Sequence, residues 1–341
     1  MALAAGSCVP GAGSSGAGLV SIGAGLRGLA GLRATVYATG PPTVSALALD
    51  ERGRLWVATA AYTSEGEDAV SVVATPGAAP VRVVTGLRTP LGLAWRDGWL
   101  YVASLGRVDA FGGFDGSRFA ERRTVLEGPV AEGENNGLAL TADGRLLMGV
   151  SASCDHCTPA SRWSAAIVSF GTDGGGLGVY ASGLRAPFGL TLSRDDLFVT
   201  VNQRDDLGGG TPGDWLAVVR QGERWGFPDC WGQGGSTCAG VPAPAAVLDQ
   251  HAAAGGVALV SGALAGRGSS ATAAIVAEWA LGRVQRVALT RTDGAYRGTA
   301  APFLAGLKNP LPVLATGGGV LVGDWGTGRI YLVEAASASG A

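Results

Sequence analysis

Ala46-Leu47-Ala48-Leu49-Asp50-Glu51-Arg52-Gly53-Arg54-Leu55-Trp56-Val57 reads as an apolar strand, a polar turn, and a second apolar strand. The same unit returns as Gly92-Leu93-Ala94-Trp95, Asp97-Gly98, Leu100-Tyr101-Val102, and as Gly137-Leu138-Ala139-Leu140, Asp143-Gly144, Leu146-Leu147-Met148. A fourth copy is Gly189-Leu190-Thr191-Leu192, Asp195-Asp196, Leu197-Phe198-Val199, and looser copies centre on Ile275-Val276-Ala277 and Val320-Leu321-Val322. From Leu55, Leu100, Leu146, Leu197, Ile275 and Val320 the intervals are 45, 46, 51, 78 and 45 residues. Periods of this length, with several short strands in each, are those of a β-propeller blade. Six copies predict an all-β, six-bladed propeller over residues 31–336. The long interval predicts an insertion at about 203–250, with residues 1–30 as a signal remnant and linker and 337–341 as a tail.

A second element precedes most copies: a strand, then Gly-Leu, a basic residue, one residue and Pro. It is seen at Val81–Pro90, Val179–Pro187 and Phe303–Pro310. The first such strand, around Thr35-Val36-Tyr37, comes before blade one. It is expected to pair with Ile330-Tyr331-Leu332-Val333, so that the two ends of the chain close the last blade and leave no open sheet edge.

Composition agrees. Glycine accounts for 58 of 341 residues, which penalises helices. Charged residues are 15% and the formal net charge is -2, which gives neither a nucleic-acid footprint nor a polybasic membrane patch. No apolar run is long enough for a membrane helix.

Of five cysteines, two pairs lie close in sequence, Cys154/Cys157 and Cys230/Cys238. One CxxC without a partner motif is poor evidence for zinc, which takes four ligands. Two structural disulfides are the economical pairing, and they point to an oxidising, extracytoplasmic compartment. Cys8 is left over. The small residues before it resemble the cleavage site of a bacterial lipoprotein, so the protein is expected to be secreted or lipid-anchored through Cys8; an ordinary chain terminus reads equally well.

Equivalent loops of a ring converge on its axis, so Arg88, Arg185 and Lys308 in the repeated turn are expected to face one region and to suit an anionic ligand. Asn135, Asn136, Gln203, Arg204, Trp225 and His251 are expected to border that site.

The segments Arg185-Ala186-Pro187-Phe188-Gly189-Leu190, Val201–Asp206 and Gly222-Glu223-Arg224-Trp225-Gly226-Phe227-Pro228 resemble the soluble quinoprotein glucose and sorbosone dehydrogenases. Asn136–Leu140 with Asp143-Gly144, Ser151–Cys157, Asp249–Ala253 and Gly323-Asp324-Trp325 extend the likeness over about residues 31–334. The resemblance implies a pyrroloquinoline quinone (PQQ) over the channel, held by Arg88, Arg185, Lys308, Asn135, Asn136 and Trp225. It implies a Ca²⁺ ion on the backbone carbonyls of Gln203 and Arg204, and a histidine base that takes a proton from a sugar or aldehyde-class substrate. Here the base position is Gly133, the Asn of Arg-Asn-Pro is Ala186, and the family's glycine by calcium is Gln203. Glu134 and His251 are then the candidate substitutes for the base, and a loss of that base implies degraded dehydrogenase activity. The alternatives are a propeller that binds a ligand or partner without catalysis, and a calcium-dependent lactonase-type hydrolase.

Overall fold

The computed structural model describes residues 18–63, 65–128, 134–232, 238–266 and 272–336. Six antiparallel sheets stand round an axis, and each runs from an inner strand to an outer one. Blade one comprises Val44–Leu49, Leu55–Thr59, Asp68–Val73 and Val81–Leu87; blade two comprises Gly92–Arg96, Trp99–Ser104, Arg107–Phe114 and Phe119–Glu127. Blade three comprises Asn135–Leu140, Arg145–Val150, Ala166–Gly171 and Gly178–Ser182. Blade four is built from Ala186–Ser193, Asp196–Asn202, Gly213–Val219 and Ala246–Gln250, and blade five from Ala254–Ser261, Thr272–Glu278, Arg283–Thr292 and Ala295–Ala305. All six repeated apolar triplets are second strands, which explains their regular spacing.

Closure is as the sequence predicts. Pro310–Ala315, Gly319–Asp324 and Arg329–Ala335 form three strands of blade six, and Leu32–Thr39 adds the outer one, with Tyr331 opposite Val36 and Leu332 opposite Thr35. Two boundaries differ from expectation. The stretch 203–250 is not one insertion, because it contains the third and outer strands of blade four; the extra length is the connection 220–245 between them. The segment up to residue 30 is not all linker, because Val20–Gly23 and Leu26–Gly28 form a hairpin that extends the outer edge of blade five, with Arg27 opposite Ala305. Leu26 is buried there, and its side chain drives the docking.

Among the described residues the core is a ring of six apolar clusters, each shared by two neighbouring blades; one joins Ile275 and Val284 of blade five to Val322 and Tyr331 of blade six. At the axis, side chains would hold the blades apart. A Cβ on Gly92 would lie 2.4 Å from the carbonyl oxygen of Asn136, and one on Gly189 would lie 2.6 Å from that of Gly255. The glycine that opens each of these repeats therefore lets one inner strand touch the backbone of the next. The tight ring leaves one face where the loops after the second strands meet the turns that enter each blade.

Both disulfides form as the spacing suggested, Cys154–Cys157 and Cys230–Cys238. Cys8 and Gly133 lie outside the described residues. No described helix is long and apolar enough to cross a membrane.

Candidate functional site

On that face a cavity of about 830 Å³ lies over the axis, and all six blades contribute to its wall. Blades three and four supply its polar half: Glu134, Asp155, Arg185, Asn202 and Asp205. Blades five, six and one supply an aromatic half, with Trp279, Trp325 and Tyr62. Leu105, Phe188 and Leu311 add apolar surface nearer the inner strands.

Buried carboxylates fix the backbone around the rim. Asp68 accepts the N–H of Ala61, just past the second strand of blade one, and that of Thr89 in the turn into blade two, both at 2.8 Å. Asp214 does the same one half-ring away, accepting from Gln203 at 2.8 Å and from Ala254 at 2.9 Å. Burial pushes the Asp214 carboxyl up to about 7, and the two N–H donors oppose that shift. Asp324 holds the third such turn through the N–H groups of Lys308 and Asn309.

Arg185 is the central polar group. One guanidinium nitrogen donates to the carbonyl of Gln203 at 2.9 Å and to that of Asn202 at 3.5 Å. The other donates to Asp155 Oδ1 at 2.5 Å. Asp155 lies inside the Cys154–Cys157 ring, so that disulfide shapes the loop that meets the arginine. Burial raises the Glu134 carboxyl above the usual carboxylate range, and Arg185 draws it back down. Asn202 donates to the carbonyl of Ala254, while its buried Oδ1 accepts no hydrogen bond. In the opposite wall Trp279 and Trp325 meet edge to face, 5.6 Å between centroids, and the Trp325 indole donates to the carbonyl of Ala60 at 2.9 Å.

The residues singled out from sequence distribute unevenly over this geometry. Glu134 and Arg185 line the cavity. Arg88 and Lys308 occupy the equivalent turns but are exposed and outside the lining, so the three cations do not meet in one wall. Asn135 and Asn136 are fully buried behind it; Asn135 donates to the carbonyl of Ser104, and Asn136 donates to Ser151 Oγ and to the carbonyl of Pro187. They pin blade three to its neighbours. Trp225 is also buried, against Trp215, with its indole N–H on Glu223. The side chain of Gln203 accepts the N–H of Gly232, and Arg204 pairs with Asp206 at 2.6 Å beside the ring of Trp231. His251 stands at the outer edge, Nδ1 2.9 Å from Asp205 Oδ1 and half exposed.

None of the aromatic half is among the site residues expected from sequence, although Trp325 lies in a family motif and a further signal was present. Glu278-Trp279 and Asp324-Trp325 fall at the same point of two successive repeats, just past the second strand, where every blade turns toward the axis.

The expected quinone and metal can be tested against this wall. Among the described residues its charged members are one cation, Arg185, and three carboxyls, Glu134, Asp155 and Asp205. A quinone bearing several carboxylates would meet a net acidic surface whose single guanidinium is already bound. The Gln203 carbonyl expected to hold calcium accepts from that guanidinium at 2.9 Å. The charge of the described wall does not suit a polyanionic quinone, and Arg185 competes for the carbonyl expected to hold calcium.

A scan against protein-family models and a search of curated proteins find no match for the chain. Solved structures do match over most of its length. The chain is similar to a putative oxidoreductase (glucose dehydrogenase) of Thermus thermophilus, with 18% identity, TM-score 0.71, and coverage of 89% of this chain and 100% of that one. The PQQ-bound aldose sugar dehydrogenase of Streptomyces coelicolor gives 20% identity and TM-score 0.70 over 90% and 99%. The holo PQQ domain of a pyranose dehydrogenase from Coprinopsis cinerea gives 13% and 0.73 over 91% and 97%. The chain has the six-bladed propeller fold of these sugar dehydrogenases.

Proposed function

We propose that this chain is an extracytoplasmic propeller on the sugar-dehydrogenase scaffold that binds a neutral, hydroxyl-rich small molecule, of the sugar or sugar-aldehyde class, in its axial cavity. The observation that carries this reading is the split wall: Trp279 and Trp325 offer apolar faces to C–H groups, and Glu134 and Asp155 offer acceptors to hydroxyls. That is the usual make-up of a small-molecule site, apolar contact with a few convergent polar groups. A net acidic lining disfavours an anionic ligand and leaves a neutral polyol unopposed. The two disulfides support an oxidising compartment.

Within that cavity Glu134 is the group placed to take a proton from a bound hydroxyl. A carboxylate whose proton affinity is raised by burial is a better base than an exposed one, provided it is ionised at the working pH. The experiment is calorimetric titration with neutral sugars and sugar aldehydes, run beside a dye-reduction assay with added PQQ, with and without Ca²⁺. Saturable binding that weakens about tenfold in Trp279→Ala, without dye reduction, is the expected result. Turnover on adding the quinone would replace this reading with that of an active sugar dehydrogenase, and Glu134→Gln should then abolish turnover while leaving binding in place. Absence of binding across both compound classes would overturn the proposal.

A further inference from the structure

We infer that the guanidinium of Arg185 is this propeller's built-in cation, standing where a hard metal ion would otherwise be held. The carbonyl oxygens of Asn202 and Gln203 and the carboxylate of Asp155 converge on one guanidinium, the carbonyls on one of its nitrogens and the carboxylate on the other. Two carbonyls and a carboxylate are ligands that suit Ca²⁺. In this chain they close on the arginine instead, at 3.5, 2.9 and 2.5 Å. The second loop is tied in as well, since the N–H of Asp205 donates to the same Asp155 oxygen at 3.2 Å.

A guanidinium suits this position better than an ammonium would. Its planar fork directs separate N–H groups at the carbonyls and at the carboxylate, and it does not lose its charge near neutral pH. Bonded to these oxygens, it competes with a metal for them. A divalent ion within a few ångströms of a fixed positive charge is repelled, and the repulsion grows as water is removed from the site. The arginine therefore clamps the loop 151–157 of blade three to the loop 202–206 of blade four, with no soluble ion required. This holds whatever molecule the cavity binds, so loss of sugar binding and loss of this inference are separate results.

The test uses Ca²⁺ alone on the full chain, by calorimetric titration and by thermal unfolding with and without a chelator. The wild type should show no saturable heat and no change in midpoint on adding Ca²⁺ or on chelation. Arg185→Met, which keeps side-chain length without charge or donors, should unfold at a lower temperature and regain stability with millimolar Ca²⁺, gaining at least tenfold in Ca²⁺ affinity over the wild type. Arg185→Lys, which leaves a charge at the carbonyls, should remain insensitive to Ca²⁺ and serves if Arg185→Met does not fold. One Ca²⁺ bound per wild-type chain, or a wild-type midpoint that falls on chelation, overturns the inference. A folded Arg185→Met that ignores Ca²⁺, or an Arg185→Lys that responds to it, overturns it too.

Discussion

The two halves of the axial cavity are held in place by different physics. The polar half, from blades three and four, is fixed by charge and covalent bonds: Arg185 between Asp155 and two carbonyls, with the Cys154–Cys157 bond around Asp155. The aromatic half, from blades five, six and one, rests on shape, with two indoles packed edge to face and a single N–H to Ala60. A charge network is directional and fails when one member goes. Packed rings lose area in proportion to what is removed. The polar half should therefore set which ligand enters and in what orientation, and the aromatic half should set how tightly it stays.

Both halves stand on one ring of inner strands, so the largest effect comes from beneath them. In Gly189→Ala the new methyl would lie 2.6 Å from the carbonyl oxygen of Gly255 and 2.8 Å from the nitrogen of Val257, both backbone atoms that cannot swing aside. Overpacking of this kind should cost about 3 kcal/mol. Denaturant unfolding should show it, and a loss under about 1 kcal/mol would mean that the blades slide apart more easily than close packing allows.

That ring was legible in the sequence and half of the cavity was not, for one reason. Inner strands obey a constraint that recurs in every blade, so Gly92, Gly137 and Gly189 come back in register with the apolar triplets. Loop residues at the rim answer to a ligand instead, and each blade contributes a different type. Glu134 and Arg185 were found because a basic turn and a family motif marked their neighbourhoods. Trp325 lay in a family motif that did not mark it as part of the wall, and Trp279 carried only a positional signal, the matching point of the repeat before it. Asn135, Asn136 and Trp225 were expected at the site, but polar or aromatic character beside a loop does not say which way a side chain faces. The structure turns all three into the interior, where the amides bridge blades through backbone carbonyls.

Removing the blade-three disulfide sharpens the contrast between the halves. Cys154→Ser with Cys157→Ser should cost about 2 kcal/mol by chain-entropy reasoning, and should also weaken ligand binding, because Asp155 loses its fixed position against Arg185. Removing Cys230–Cys238 should cost a similar amount, about 2–3 kcal/mol, with binding unchanged, since neither of those cysteines lines the cavity. Melting curves paired with sugar titrations separate the two. Equal effects on binding would erase the distinction between a loop that shapes the wall and one that only braces blade four.

On the aromatic side, Trp279→Ala removes a half-buried ring from the wall but no buried hydrogen bond of its side chain. Ligand affinity should fall about tenfold, roughly 1.4 kcal/mol, with a smaller loss of stability. A variant that loses stability and keeps affinity would show that the indole pair serves the fold rather than the ligand.

The smallest effect is a slope in pH. Asp214 bonds the N–H groups of Gln203 and Ala254, so it braces the polar half from below, and burial raises its carboxyl to about 7 from an unfolded value near 3.9. Between those two values the folded chain holds a proton there that the unfolded chain has released. Folding stability contributed by this group therefore falls as pH rises from about 4 to about 7, and is level above that. Asp214→Asn has no such titration, and its amide sets an N–H group against one of the two donors, so it should be less stable than the wild type throughout. The gap between wild type and variant should narrow across the same window. Guanidinium unfolding of both proteins at pH 4, 5.5, 7 and 8 measures the gap. A gap that widens with rising pH would mean that the two N–H donors outweigh burial and hold Asp214 charged in the fold.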